Sequence, residues 1–465
     1  MLSQHSSAHG SLTRYPPGSF RESWHLIFPM ILTTASISLM MFADRVILAQ
    51  YSTKAMTAAA SAGIIVVTFE IALLGIAGIA EVFVGQHNGA QDYKRTAEPV
   101  WQMIWLSLLS MILFVPIALF GAEFFVADPF DNLGVPYFRG LMLFGFLTPL
   151  NGALSSFFVG LGKPRIVTWI VGLGNAINII LDIILILGIQ GWIEPMGTLG
   201  AAIATNIALG LQSLILFCLF LRKKYGTTYG SYDFRFKLKP FWDCVKIGAP
   251  TSISHFVELS AWSFQLNVIA MVSEIHVTVV AVGQSIFLLF MFIADGLSRG
   301  LSSIASNYMG AQNYDIIPQC FFSAFKILLI FALSVLLIFI FYSHEMIHLL
   351  VQGDYPPEIL KKINIFSHQS LKWVWLFIFV DGIVWICVGI LTAAGDTKFI
   401  MIANGFNAWF FGILPLYICV IYFKMPPSVA WLVISFYGVI NMSTFYWRYR
   451  AGSWRVNRVR LNMKR

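Results

Sequence analysis

The chain has 465 residues, 58% of them hydrophobic and 11% charged, with a formal net charge of +8, whereas soluble globular domains carry about 25% charged residues. That balance excludes an ordinary water-soluble domain. The basic residues lie in short joints between apolar stretches, which excludes a nucleic-acid binder as well. The five cysteines, Cys218, Cys244, Cys320, Cys387 and Cys419, have neither CxxC spacing nor neighbouring histidines, so a disulfide framework and a zinc site are not expected.

The chain opens with an N-terminal segment, residues 1–23. Its Ser/His/Pro-rich start lacks the apolar core and cleavage site of a secretion signal, so the first apolar helix is expected to direct insertion. A spanning helix needs about 20 mostly apolar residues. Twelve such stretches follow, at 24–49, 62–85, 99–126, 137–160, 165–189, 199–221, 245–272, 279–306, 320–342, 367–393, 399–422 and 428–447. They predict an all-α integral membrane protein with a six-helix lobe over 24–225, a basic connector over 226–244, a second six-helix lobe over 245–449 and a basic tail over 450–465.

Two patterns organise these helices. With both termini placed in the cytoplasm, 21 of the 30 Lys and Arg residues fall on the cytoplasmic side, as the bias of Lys and Arg toward cytoplasmic loops requires. An even number of spans with both ends cytoplasmic follows; a cell (inner) membrane is the expected location, and the bilayer itself is the chief partner. The chain also repeats: Gly89-Ala90-Gln91-Asp92-Tyr93 returns as Gly310-Ala311-Gln312-Asn313-Tyr314, and the same spacing carries Pro29 onto Pro250. Six helices per copy give two lobes of the same orientation, an internal parallel repeat.

Ionisable groups inside a membrane cost at least about 2.5 to 3.5 kcal/mol each on insertion scales, so those present need a reason. Asp44 lies near the far end of the first span. Asn178 and Asp182, four residues apart in the fifth, share a helix face, and Thr205 follows the small residues that open the sixth. Two carboxylates, an amide and a hydroxyl form an oxygen-rich set suited to a proton or a dehydrated Na⁺; the alternative is that each satisfies a neighbouring helix or the wet membrane edge. In the second half His255 and Glu258 lie at i, i+3 on a face continued by Ser260, Ser263, Gln265 and Asn267, and Asp381 stands among Trp373, Trp375, Phe377, Phe379 and Trp385. An acid beside aromatic faces suits a proton, a cation or a lipophilic organic cation; the alternative is an Asp381 paired with a buried base and tryptophans forming an interfacial belt. Gln284 joins His255, Gln265, Trp375 and Trp385 as a candidate for the substrate cavity. Glu70, Glu81, Asp295, Arg299 and Lys326 are further charges in apolar stretches, Asp295 and Arg299 being spaced for a helix pair.

These features together resemble the multidrug and toxic compound extrusion (MATE) family. The residues that carry the likeness are Pro29 and Asp44, the Gly-Ala-Gln loops, Asn178-Ile179-Ile180-Leu181-Asp182 ahead of Gly200 to Thr205, Gly248-Ala249-Pro250 ahead of Glu258, and Gly389 to Thr397 after Asp381. The resemblance runs from about Trp24 to Trp447. It implies two lobes around a central cavity and antiport of an amphipathic, often cationic compound against Na⁺ or H⁺. It also implies that Asp44, Asn178, Asp182 and Thr205 form the ion site of the amino-terminal lobe, and Glu258 with Asp381 the acidic site of the other. Arg45, Glu81 and Asp295 depart from the family's common pattern.

The expected function is therefore a secondary antiporter, monomeric and without a cofactor, that exports small organic compounds; no GxxxxGK[ST] nucleotide loop is present. A lipid-linked precursor flippase would need a strongly cationic cavity, and the few intramembrane Arg and Lys residues do not supply one. An integral membrane enzyme would rest on His344, Glu345 and His348 alone.

Overall fold

In lipid, an isolated span can satisfy its own backbone only as a helix, and in a computed structural model the apolar stretches are helices throughout. The structure describes residues 12–126, 131–351, 355–456 and 459; the first eleven residues and most of the basic tail beyond Val456 lie outside them. Among the described residues there is no β-strand beyond one isolated bridge between Ile189 and Ile193.

Helices one to six are Phe20–Tyr51, Thr53–Gly89, Tyr93–Phe120, the bent pair Leu133–Leu143 with Leu147–Gly160, Pro164–Leu187 and Gly197–Phe220. Helices seven to twelve are Leu238–Ala270, Glu274–Gly310, Tyr314–Leu350, Pro357–Ala393, Thr397–Tyr422 and Ser428–Arg450. Ten of these pass as spans on length and apolarity alone, and the bent pair makes an eleventh. Helix seven is the twelfth, and its polar face from His255 to Asn267 accounts for its weaker apolar signal.

Several boundaries differ from the sequence expectation. Helix two starts at Thr53 instead of residue 62, because the Ser52 side chain caps the backbone N–H of Ala55 and starts the helix in a polar stretch. Helix seven starts at Leu238, so the last residues of the expected connector are already helical. Helices nine and ten both outrun their apolar cores.

The repeat is visible in the backbone. Gln91 and Gln312 both adopt a left-handed conformation, at φ 59° and 62°, and each precedes a single 3₁₀ turn, Tyr93–Arg95 or Tyr314–Ile316.

At the end bearing these two loops, here the loop end, the lobes are pressed together. A Cβ on Gly296 would lie 2.6 Å from Ile31 Cα, one on Gly300 2.8 Å from Ile27 Cα, and one on Gly75 2.5 Å from Ser252 Oγ; small residues permit this approach. Glu22, fully buried, accepts the Tyr308 hydroxyl on both oxygens at 2.8 Å and the Gly18 N–H at 2.7 Å. Ser323 donates to the Gly18 carbonyl at 2.8 Å, so the entry to helix one is tied to the opposite lobe.

Thr34 Oγ1, donating to the Phe292 carbonyl at 2.8 Å, is one of the last cross-lobe bonds on going away from the loop end. Beyond it Ile64, Phe256, Leu259 and Leu289 are exposed, and a cleft of about 440 Å³ opens between Thr68 of helix two, the Phe256 to Asn267 face of helix seven and Trp409 of helix eleven.

Candidate ion and substrate sites

Helix one presents two faces from its middle onward. Thr33, Ser36 and Asp44 turn toward helix five: Thr33 bonds the Thr168 hydroxyl at 2.9 Å, and Asn175 donates to Ser36 at 2.9 Å. Farther along this face, the carboxyl groups of Asp44 and Asp182 come within hydrogen-bonding reach of each other. Asn178 joins them. Its carboxamide satisfies both ends only with the nitrogen toward the acids, donating to Asp44 Oδ1 at 3.1 Å and Asp182 Oδ2 at 3.2 Å while its oxygen accepts the Thr205 N–H at 3.2 Å. Asn178 and Asp182 are fully buried, and Asp182 Oδ1 has no partner. Tyr137 of helix four faces this cluster and Glu70.

Two carboxylates this close repel each other unless a proton or a cation sits between them. All four sequence candidates of this lobe are therefore in one place. The polar chain that continues toward the loop end was not anticipated: Gln212 donates to Asn175 at 3.3 Å, Asn151 to Gln212 at 2.9 Å, and Ser155 to Asn151 at 3.2 Å. Its only sequence signal is a set of amide side chains in apolar helices, each of which needs a partner.

In the second lobe Glu258 and Asp381 line one small cavity of about 30 Å³, with His255, Trp385 and Asn404 among its other walls, enough for a water or a small cation. Trp385 Nε1 donates to Asp381 Oδ2 at 3.0 Å. Asn404 of helix eleven donates to Glu258 Oε2 and Ser254 Oγ, both at 3.2 Å. It also accepts from Tyr437 and Asn441 at 3.5 Å each, and Asn407 donates to Asn441 at 3.0 Å. Asn404, Tyr437, Asn407 and Asn441 are functional candidates that sequence reasoning missed.

The remaining cavity candidates are distributed differently. His255 and Trp385 face each other with ring centroids 6.0 Å apart. Trp375 points elsewhere: its indole donates to the Ala332 carbonyl at 2.9 Å and packs helix ten on helix nine. Gln265 is buried against helix eleven at Gly412, its Oε1 without a partner, and Gln284, half-exposed on helix eight, bonds to neither cluster. His344 stacks on His368 at 6.2 Å, and no group of three His, Cys, Asp or Glu gathers into a metal site among the described residues. Asp295 and Arg299 do not close the helix pair their spacing allows.

Comparison with known proteins places the chain in a family. The family model described as MatE matches residues 29–184 and again 250–418, two segments whose starts reproduce the spacing of the internal repeat. A probable multidrug resistance protein NorM of Thermotoga maritima is 23% identical over 402 residues, covering 84% of this chain and 83% of the relative. The multidrug resistance protein NorM of Burkholderia vietnamiensis is 23% identical over 457 residues, covering 96% and 95%. Among solved structures, an outward-facing multidrug resistance MATE family transporter superposes with a TM-score of 0.80 at 20% identity, covering 95% of this chain and 97% of that one. A MOP superfamily transporter from Pyrococcus furiosus, described as having a binding pocket of reverse polarity that suggests a different function, gives 0.83 at 20% identity, covering 97% and 100%.

Proposed function

Because the chain belongs to the MatE family of multi-pass membrane transporters, and is not an enzyme, we propose that it exports small amphipathic organic compounds from the cell in exchange for protons taken up at Asp44 and Asp182. The observation that carries this reading is the carboxyl pair itself, two acids from different helices within hydrogen-bonding reach. With no cation between the acids, Asn178 satisfies its hydrogen bonds only with its amide nitrogen toward them, and in that orientation it offers no oxygen ligand to a Na⁺ ion. A shared proton suits the arrangement better.

The placement of basic residues puts the loop end in the cytoplasm, with both termini there and the protein a monomer of the cell (inner) membrane. The closed loop end and open cleft then correspond to an outward-open state. A proton entering from outside binds between Asp44 and Asp182, removes their repulsion and draws helices one and five together. That rearrangement disfavours bound substrate, and opening to the cytoplasm releases the proton and readmits substrate, each ligand biasing the equilibrium only by its differential affinity for the two states. The cleft alternates aromatic and hydroxyl or amide groups, Phe256, Phe264 and Trp409 with Thr68, Ser260, Ser263 and Asn267, a lining suited to an aromatic amphiphile, cationic ones included.

The test is flux of a fluorescent cationic dye in proteoliposomes under an imposed pH gradient or an imposed Na⁺ gradient, for the wild type and for Asp44→Asn and Asp182→Asn. Dye movement should follow the pH gradient alone and vanish in both variants. Flux driven by Na⁺ at constant pH would overturn the proton assignment, and flux indifferent to both gradients would remove antiport altogether.

A further inference from the structure

The coupling scheme leaves three intramembrane charges without a role, and they meet at the boundary between the lobes. Glu81 of helix two is 5% exposed, and its Oε1 has no hydrogen-bond partner. The charged groups that act on it are Arg299 and Asp295 of helix eight, which belongs to the other lobe. None of the three closes an ion pair with another at 4.0 Å or less.

Helix periodicity shows which way the helix-eight pair faces. Asp295 and Arg299 lie about three and two turns before Ser306 on the same side of the helix, and Ser306 packs against Gly85, where a Cβ would lie 2.0 Å from its hydroxyl. Both side chains therefore point at helix two. They stay half-exposed while Leu297 is fully buried and Ser298 nearly so. The space they meet is that between the lobes, with Asp295 about one turn and Arg299 about two turns beyond Phe292 toward the loop end.

We infer that Glu81 and Asp295, with Arg299 beside them, form a receptor for the positively charged head of an amphipathic organic cation at the floor of the cleft. This rests on the export reading above and adds an anchoring point to it. When both acids are ionised, two carboxylates and one guanidinium carry one negative charge in excess, in a setting where an unpaired charge is costly, and a bound monocation restores neutrality. Arg299 is the internal competitor, near enough to act on Glu81 without closing an ion pair with either acid. Because Glu81 moves with one lobe and Asp295 and Arg299 with the other, the site is complete only when the loop end is closed. A cation entering from that side draws the lobes together behind it.

The experiment is equilibrium binding to the purified full-length protein, by fluorescence polarisation, of cationic rhodamine 6G and of zwitterionic rhodamine B. Asp295→Asn and Glu81→Gln are each expected to weaken rhodamine 6G about tenfold and rhodamine B much less. Arg299→Gln is expected to tighten rhodamine 6G, a gain that a merely structural arginine would not give. Equal shifts for the two dyes, an Arg299→Gln variant that binds no tighter than wild type, or a wild type that fails to bind rhodamine 6G would each overturn the assignment. If the charge pattern holds but no gradient drives flux in proteoliposomes, the antiport reading fails while this site stands.

Discussion

Gln86 and Asn307 make the same bond in opposite directions. Gln86 Nε2 in the first lobe donates to the Ala393 carbonyl at the end of helix ten, at 2.8 Å, and Asn307 Nδ2 in the second donates to the Gly160 carbonyl at the end of helix four, also at 2.8 Å. Each closes the last turn of a helix in the other lobe, where a carbonyl otherwise lacks a partner. Replacing either amide by Ala should weaken the closed loop end by about 1 kcal/mol, roughly a fivefold shift toward the loop-open state, and replacing both should shift it further. The rate at which a cysteine substituted for Thr34 reacts with a maleimide added from the loop side reads this out. Unchanged rates in the double variant would mean the pair does not hold the gate.

The glycines beside these amides give a sharper test. A Cβ on Gly89 would lie 1.9 Å from the Asn307 carbonyl oxygen, and one on Gly310 2.2 Å from that of Gln86. Backbone atoms cannot move aside as a flexible side chain does, so Gly89→Ala and Gly310→Ala should block closure and abolish export. Gly78→Ala, where a Cβ meets nothing within 4 Å, should export at the wild-type rate and, with its higher helix propensity, melt no lower than wild type.

Within the first lobe, Asn178 and Thr205 should not be equivalent. Asn178→Ala removes the donor shared by Asp44 and Asp182, a loss of about 1 to 3 kcal/mol where the acids are buried, so proton-driven dye flux should fall at least about tenfold. Thr205→Ala keeps the backbone N–H that the Asn178 oxygen accepts, and its flux should stay within about a factor of three. Initial rates under a fixed pH gradient decide it; equal losses would place the hydroxyl, not the amide, at the centre of the site.

The connector supplies a control for pH. Arg235 at 2.7 Å and Lys237 at 3.2 Å hold the Asp233 carboxyl down at about 2, below the value of about 3.9 for an unperturbed Asp. A depressed carboxyl contributes stability that is complete above the unfolded value and is lost as pH falls through the folded one, here between about pH 4 and 2. Asp233→Asn should therefore leave the pH dependence of transport between about 5 and 8 superimposable on the wild type. A displaced profile would show that the connector takes part in proton handling.

How much of this was readable in advance follows from the range of each signal. Asp44, Asn178, Asp182 and Thr205 stood out because a polar residue in an apolar helix is costly and a four-residue spacing fixes a shared face; the structure brings all four together. The repeat was readable because its loops are local. Trp375 was misplaced because an aromatic residue near an acid in sequence can face a different helix, and its indole bonds helix nine. Glu22 was read as part of an N-terminal segment, since nothing near it in sequence discloses the Tyr308 hydroxyl that buries it. Asn404 was overlooked for the same reason, its partners being contributed by two other helices, seven and twelve.

Asn404 yields the last prediction. It donates to Glu258 and Ser254 and accepts from Tyr437 and Asn441, so it joins helices seven, eleven and twelve at the second lobe's acidic cavity. Asn404→Ala leaves the Glu258 carboxylate without that donor and should cost about 1 to 3 kcal/mol of stability, a fall of several degrees in melting temperature. Glu258→Gln keeps a carbonyl oxygen that can accept the same bond, and should cost less. In the double variant the two losses should fail to add by about 0.5 kcal/mol or more, as residues sharing one network do. If they add within error, Asn404 supports the helices without positioning Glu258, and the second cavity is held by Trp385 and Asp381 alone.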